Sequence, residues 1–191
     1  MKKMLLVLLL PLTGIAFLSQ SCNKKGDPGN IVNAVDTFQL ANADYISGVW
    51  ALQTGSGSAQ GISARVATRN EEKITQKVFN SGTVLVYMKV PNGLTTSSTQ
   101  YTLLPFTLSS FQTGYLIRLS YTYETGKLRI YYYYEQTDAA GSQAPSVSTA
   151  TIPTWSFKCV VIPGSDGFRS SRPPVDLSDY EAVKAYYHLP D

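Results

Sequence analysis

Hydrophobic and polar residues alternate through most of the chain after Asn30, in short runs rich in Val, Ile, Thr, Tyr and Phe. Clusters of Gly, Ser, Thr, Asn and Pro separate these runs. Short alternating strands divided by turn residues are typical of a sandwich or a barrel. The pattern predicts an all-β protein, an antiparallel β-sandwich (immunoglobulin-like or jelly-roll-like) with a short C-terminal helix. The predicted strands are Val32–Leu40, Val49–Thr54, Ile62–Thr68, Thr83–Val90, Gln100–Leu108, Gly114–Glu124, Lys127–Glu135 and Trp155–Ile162.

Two segments depart from the alternation. Within Glu71–Asn80, Ile74, Val78 and Phe79 fall at helical spacing, which predicts a short helix ending at Gly82. Pro105 stands inside an otherwise strand-like run. Because proline cannot donate to a strand ladder, we expect this strand at a sheet edge or with a bulge.

The turn at Thr125 and Gly126 predicts a hairpin with a defined register. A one-residue slip would move Lys127 and Arg129 onto the face that otherwise carries apolar and aromatic residues, so the slipped register would bury charge. The favoured register pairs Tyr123 with Leu128, Tyr121 with Ile130, Leu119 with Tyr132, and Ile117 with Tyr134.

The same register directs Tyr131 and Tyr133 away from the core, beside Arg118 and Arg129. Aromatic rings on a flat sheet can stack on sugar faces while arginine adds polar contacts, so these four residues are the candidate ligand-binding site. A structural role is the alternative, since cross-strand aromatic pairs stabilise sheets by roughly 0.2–1 kcal/mol without any ligand. In that case we expect the C-terminal helix or the second sheet to cover this face.

The last predicted strand alternates as well. It places Cys159 on the same side as Trp155, Phe157 and Val161. Cys159 is therefore expected to be a buried free thiol that packs as a small hydrophobic residue.

The tail predicts a helix over Ser178–Leu189. Ser178 at the N-cap and Glu181 three residues later form a capping-box pattern, and Pro190 ends the helix. Its apolar stripe consists of Tyr180, Val183 and Tyr187.

Length and composition exclude several classes of protein. The 191 residues, 43% hydrophobic and 12% aromatic, suit one folded domain and weigh against disorder. Without Lys2 and Lys3, 14 basic residues face 13 acidic ones, a net charge of about +1. Since nucleic-acid binding needs a clustered basic excess, we expect no nucleic-acid partner.

The N-terminus is predicted to be a secretory signal peptide. Lys2 and Lys3 precede the uncharged run Met4–Leu18, and small residues stand before Cys22. The run is shorter than the roughly 20 residues that span a bilayer, which weighs against a transmembrane anchor.

With Cys22 directly after Ser21, this segment resembles the signal of small Bacteroidota-type bacterial lipoproteins, although Ser19 stands where such signals usually carry Leu or Val. The resemblance implies cleavage before Cys22, a diacylglycerol on its thiol and a further acyl chain, such as palmitate, on its amine. Two or three acyl chains hold a protein on a membrane almost permanently. Because Asn23 is not the Asp that retains other lipoproteins at the inner membrane, we expect the outer membrane.

The residues after Cys22 are polar and rich in Gly and Pro, as in a flexible tether. Within them, the segment Gly26–Gly29 resembles the short collagen-like leader of some lipoproteins of the same group. A single triplet cannot form a collagen helix.

Residues for catalysis are sparse. His188, the only histidine, falls in the last turn of the predicted helix, where it is expected to be structural. Glu71 and Glu72 are adjacent, so their side chains are expected to diverge into solvent. Asp36, Asp44, Asp138 and Asp166 are expected in loops or at strand ends, without the spacing of a calcium loop.

These patterns divide the chain into a signal peptide (1–21), a lipidated cysteine and tether (22–31), a β-sandwich (32–164), and a loop and helix packed on it (165–191). We expect a non-enzymatic, lipid-anchored cell-envelope protein with a structural or interaction role, without metal or cofactor. The alternative is a module that binds a glycan or another envelope ligand through the Tyr131/Tyr133/Arg118/Arg129 face. The expected partners are membrane lipid through Cys22 and, in the alternative, a glycan or another envelope protein.

Overall fold

The structure is a computed structural model that describes residues 34–54, 58–90, 100–109, 114–137, 143–164 and 175–190. Strands account for most of the described residues, with two α-helices and two short 3₁₀ turns. The elements are β1 (Ala34–Leu40), β2 (Ile46–Thr54), β3 (Ser58–Asn70), α1 (Gln76–Ser81), β4 (Thr83–Lys89), β5 (Tyr101–Leu103), β6 (Phe106–Ser109), β7 (Tyr115–Glu124), β8 (Lys127–Gln136), β9 (Trp155–Ile162) and α2 (Tyr180–Tyr187).

The strands form two antiparallel sheets that pack face to face. The four-stranded sheet has the order β1-β9-β4-β5, and the five-stranded sheet has the order β2-β3-β8-β7-β6. This confirms the all-β sandwich with a C-terminal helix. Each predicted strand overlaps an observed one, although Val32 lies outside the described residues.

The predicted strand Gln100–Leu108 is divided in two at Pro105. The Leu104–Pro105 peptide is cis, and the chain passes there from β5 to β6. These two strands are edges of different sheets, which confirms the edge position expected of the proline.

The main core lies between the sheets. The inward side of β9 is buried as predicted, and Cys159 is fully buried between the neighbouring strands β1 and β4. Its side of the four-stranded sheet carries Phe38, Val84, Val86, Met88, Trp155, Phe157 and Val161, and the facing side of the five-stranded sheet carries Ala67, Leu119, Leu128, Ile130 and Tyr132.

Helix α2 covers the outer face of the four-stranded sheet. Tyr180 and Val183 are buried there against Leu85, Tyr87 and Val160. The Tyr87 hydroxyl donates a hydrogen bond of 2.7 Å to the Leu177 carbonyl and so fixes the segment that leads into the helix.

The predicted cap of this helix is wrong by one residue. The N-cap is Asp179, whose carboxylate accepts a hydrogen bond of 3.1 Å from the backbone N–H of Ala182. Ser178 instead donates its hydroxyl to the Asp176 carboxylate at 2.8 Å. The helix ends at His188, which adopts a left-handed conformation with φ of 52°.

The helix predicted over Glu71–Asn80 is shorter than expected. It begins at Gln76, after Thr75 accepts the N–H of Val78. The preceding residues are held by the β7–β8 turn, because Glu71 donates its N–H to the Gly126 carbonyl at 2.9 Å and Ile74 accepts the N–H of Gly126 at 2.8 Å. Backbone groups engaged with another turn cannot also form helical hydrogen bonds.

Candidate functional site

The β7–β8 hairpin has the predicted register. Leu119 pairs with Tyr132 and Tyr121 pairs with Ile130, which confirms the inward set. On the outer face Arg118 pairs with Tyr133, and Ser120 pairs with Tyr131. The four residues of the candidate site therefore lie on one face of the five-stranded sheet, as expected.

Both tyrosines lie on the sheet with their hydroxyls engaged locally. The Tyr131 and Thr122 hydroxyl oxygens are 3.2 Å apart, and those of Tyr133 and Ser120 are 3.3 Å apart. Tyr133 is buried, with 8% of its surface exposed, whereas Tyr131 is half-buried. The two rings therefore do not form a continuous exposed patch.

Trp50 of β2 covers these tyrosines. Its ring centroid lies 4.4 Å from that of Tyr131 in an edge-to-face contact and 6.0 Å from that of Tyr133, nearly parallel to it. Strand β3 lies between β2 and β8, and at this point it carries Ala64, which pairs with Tyr133. A small side chain at Ala64 leaves room for the indole to reach across the strand. We call Trp50, Tyr131 and Tyr133 the aromatic cluster.

Neither the C-terminal helix nor the second sheet lies over the face that carries Tyr131 and Tyr133. Helix α2 packs on the outer face of the other sheet, and the second sheet packs on the opposite side of β8. The expectation that one of them covers Tyr131 and Tyr133 is therefore wrong. Trp50 could not be assigned to this site from local sequence patterns, because its position depends on the order of the strands.

The two arginines are paired with acidic residues of their own sheet. Arg118 forms an ion pair with Glu135 and donates to the Thr107 hydroxyl at 3.0 Å. Arg129 donates to the Glu124 carboxylate at 2.8 Å. The hydrogen bond and charge of Arg129 lower the pKa of that carboxyl. The rim of the aromatic cluster is therefore close to electrically neutral.

A second polar cluster lies between the two sheets, where Asp36, Arg69 and Glu71 meet. Asp36 forms an ion pair with Arg69, whose guanidinium also lies 4.7 Å from the Phe38 ring centroid. Arg69 Nε is 3.9 Å from Glu71 Oε2, and the side chain of Glu71 is only 4% exposed. The expectation that Glu71 is solvated is therefore wrong, and Asp36 lies within β1 instead of a loop or strand end.

The carboxyl groups of Asp36 and Glu71 are in hydrogen-bond contact. Burial and a neighbouring carboxyl group both disfavour the ionised form of a carboxyl group. Burial, followed by the hydrogen bond and charge of Asp36, raises the pKa of Glu71. Burial also acts to raise the pKa of Asp36, but the hydrogen bond and charge of Arg69 outweigh it and lower that pKa. Of the two carboxyl groups, Glu71 therefore binds a proton more strongly than Asp36 does.

The remaining reactive groups occupy structural positions. Burial, with smaller contributions from nearby Glu71 and Asp36, raises the pKa of the Cys159 thiol to about 12. His188 caps the end of α2. Within the described ranges, no three His, Cys, Asp or Glu side chains are grouped as a metal site would require. Cys22, Asp138 and Asp166 lie outside those ranges.

In the described part of the chain, neither helix has the length and hydrophobicity needed to cross a membrane. Comparisons of the chain with protein-family models, with curated proteins and with solved structures gave no significant match.

Proposed function

We propose that this chain is a lipid-anchored cell-envelope protein with a structural or interaction role, in which acylated Cys22 holds the β-sandwich on the outer membrane and no chemical reaction is catalysed. The observation that supports this most directly is the basic and apolar segment that ends at Ser21 and Cys22.

The distance along the chain from Cys22 to the sandwich supports the same proposal. The first described strand begins at Ala34, twelve residues after Cys22. Twelve residues span at most about 40 Å when fully extended. Acylation of Cys22 would therefore keep the sandwich close to the membrane surface, where contacts with lipid headgroups or other envelope proteins are within reach.

The placement of the reactive residues supports a non-enzymatic role. Cys159 is buried with a raised thiol pKa, while a reactive cysteine is accessible and has a lowered one. Glu71 is buried inside the sandwich, where burial and Asp36 raise the pKa of its carboxyl group. In the candidate site, the hydroxyls of Tyr131 and Tyr133 are bonded to hydroxyls of the same sheet.

Mass spectrometry of the mature N-terminus tests the anchor. We expect the first residue to be Cys22 carrying acyl chains, and labelled palmitate to enter the protein. Cys22→Ser should abolish the label and release the protein from the membrane fraction. Cys159→Ala is the matched control and should keep both. An unmodified thiol at Cys22, or a retained Met1, would contradict the proposal.

The alternative is a module that binds a glycan or another envelope ligand through the aromatic cluster, with Arg118 and Arg129 at its rim. The contact of Trp50 with Tyr131 favours this alternative, because it adds a partly exposed indole to the predicted face. Binding to a glycan array that is lost in Trp50→Ala and Tyr131→Ala would establish it. Tyr186→Ala, at an exposed tyrosine on α2, is the matched control and should bind as the wild type does.

A further inference from the structure

Strand β2 is an edge of the five-stranded sheet with little of the protection that edges usually carry. Native edges are typically short, or carry a charge, a proline or a bulge, because unpaired backbone groups can pair with another chain. Among the described edge strands, β5 has three residues, β6 has four and follows Pro105, and β1 carries Asp36. By contrast, β2 has nine residues and contains neither a charge nor a proline.

Two large apolar side chains of β2 are exposed. Ile46 is 68% exposed and Val49 is 61% exposed, the highest values among the described large hydrophobic residues. Ile46 shares the outer face of the sheet with Trp50, and Val49 points to the opposite face, since side chains alternate along a strand. The strand therefore exposes apolar surface on both faces, beside a backbone edge that pairs with no strand in the described part of the chain.

We propose that β2 pairs antiparallel with β2 of a second copy of this chain, about a two-fold axis at Gly48. This register places Ile46 opposite Trp50 of the second copy, and Ser47 opposite Val49, each pair occurring twice. Exposed Ile46 then extends the aromatic cluster of the other copy, and the two five-stranded sheets become one continuous sheet.

The chemistry of β2 favours a second copy as its partner. In an antiparallel pair of identical strands, a charged residue on the axis faces its own copy and one beside the axis lies diagonally from its copy, so charge near the axis destabilises the pair. Ile46–Trp50 contains no charged residue, so self-pairing carries no such penalty. Because Gly48 has no side chain, no side chain stands at the axis on the outer face of the paired strands. A Cβ at Gly48 would lie 2.7 Å from Val66 Cγ2, so this open position is imposed by the fold.

Sedimentation equilibrium of the full mature chain in detergent tests the proposal through a pair of charge variants. Ser47→Lys/Val49→Lys places like charges opposite each other twice, and we expect a dimer dissociation constant at least about tenfold higher. Ser47→Lys/Val49→Glu places opposite charges in the same positions, and we expect dimerisation as tight as in the wild type or tighter. Ile46→Asp is a second weakening variant. Circular dichroism checks that each variant keeps its strand content.

The proposal is overturned if the wild-type chain stays monomeric. In that case any pairing partner of β2 would be a strand of a different protein. It is also overturned if the dimer is unaffected by both charge variants, since another face then forms the contact. Equal weakening by the two charge variants overturns it as well, because only the like-charge variant opposes the proposed register. Phe79→Lys, at an exposed residue on α1, is the control and should dimerise as the wild type does.

Discussion

The indole of Trp50 lies almost parallel to the ring of Tyr133, with 8° between the planes and 6.0 Å between the centroids, although β3 separates their strands. Trp50 thus joins the hairpin β2–β3 to the hairpin β7–β8 on the outer face of the sheet. The sandwich therefore has apolar packing on three levels: between its sheets, under α2, and under Trp50.

We expect Trp50→Ala to lower the free energy of unfolding by about 1–3 kcal/mol, since a half-buried indole and two aromatic contacts are lost. Urea unfolding followed by circular dichroism measures this change. Tyr186→Ala is the control and should cost less than about 0.5 kcal/mol because Tyr186 is exposed. A Trp50→Ala protein as stable as the wild type would show that the cluster does not support the sheet.

Stability should depend on pH through Glu71. Its pKa is raised from the ordinary 4.5 in the folded protein, so the folded state keeps a proton that the unfolded chain has already released. The free energy of unfolding therefore falls as the pH rises above about 4.5, by at most about 1.4 kcal/mol per pH unit, until Glu71 ionises in the folded protein too.

Glu71→Gln should remove this decline, because an amide does not ionise and can still donate to the Asp36 carboxylate. Unfolding in urea at a series of pH values from 4.5 upward measures the slope. Glu72→Gln is the matched control, since Glu72 is exposed, and it should keep the wild-type slope. Equal slopes in the wild type and Glu71→Gln would contradict the raised pKa of Glu71.

Cys159 should be unreactive in the folded protein. A thiol with a pKa of about 12 has on the order of a thousandfold less thiolate at neutral pH than a free cysteine, and full burial excludes the reagent as well. We expect no reaction with a chromogenic disulfide reagent at pH 8 and one reactive thiol in urea. Two reactive thiols in urea would instead count against acylation of Cys22.

The hydroxyl of Tyr87 should contribute to the docking of the C-terminal segment. Tyr87→Phe removes its hydrogen bond to Leu177, and we expect a loss of about 1 kcal/mol in the free energy of unfolding. Backbone hydrogen exchange should rise first in α2, because that helix rests on this contact. Tyr186→Phe is the control and should leave both measurements unchanged.

The alternation of side chains was enough to predict the strands and the register of the β7–β8 hairpin. That register was well defined because a slip would have placed Lys127 and Arg129 in the core. The burial of Cys159 followed from the same rule, since one face of β9 is continuously apolar. These are local properties of one or two adjacent strands.

Features that depend on the order of the strands were missed. Trp50 reaches the tyrosines across β3, and nothing in the sequence of β2 indicates which strands lie beside it. Glu71 is buried because its backbone is fixed by the turn at Gly126 and its carboxyl meets Asp36 of the opposite sheet. The position of such a contact is set by the packing of distant segments, which a local pattern does not contain.

The contacts of β1 determine where mechanical tension would enter a body tethered at its N-terminus. With the proposed anchor at Cys22, tension would enter the described part of the chain at Ala34, in the strand that β9 holds by its ladder. Within the next two residues, the Val35 carbonyl accepts a hydrogen bond from Lys73 and Asp36 is paired with Arg69. These contacts connect the start of β1 to Arg69, near the end of β3, and to Lys73, just after it. Both sheets would therefore bear the load before β1 separates from β9.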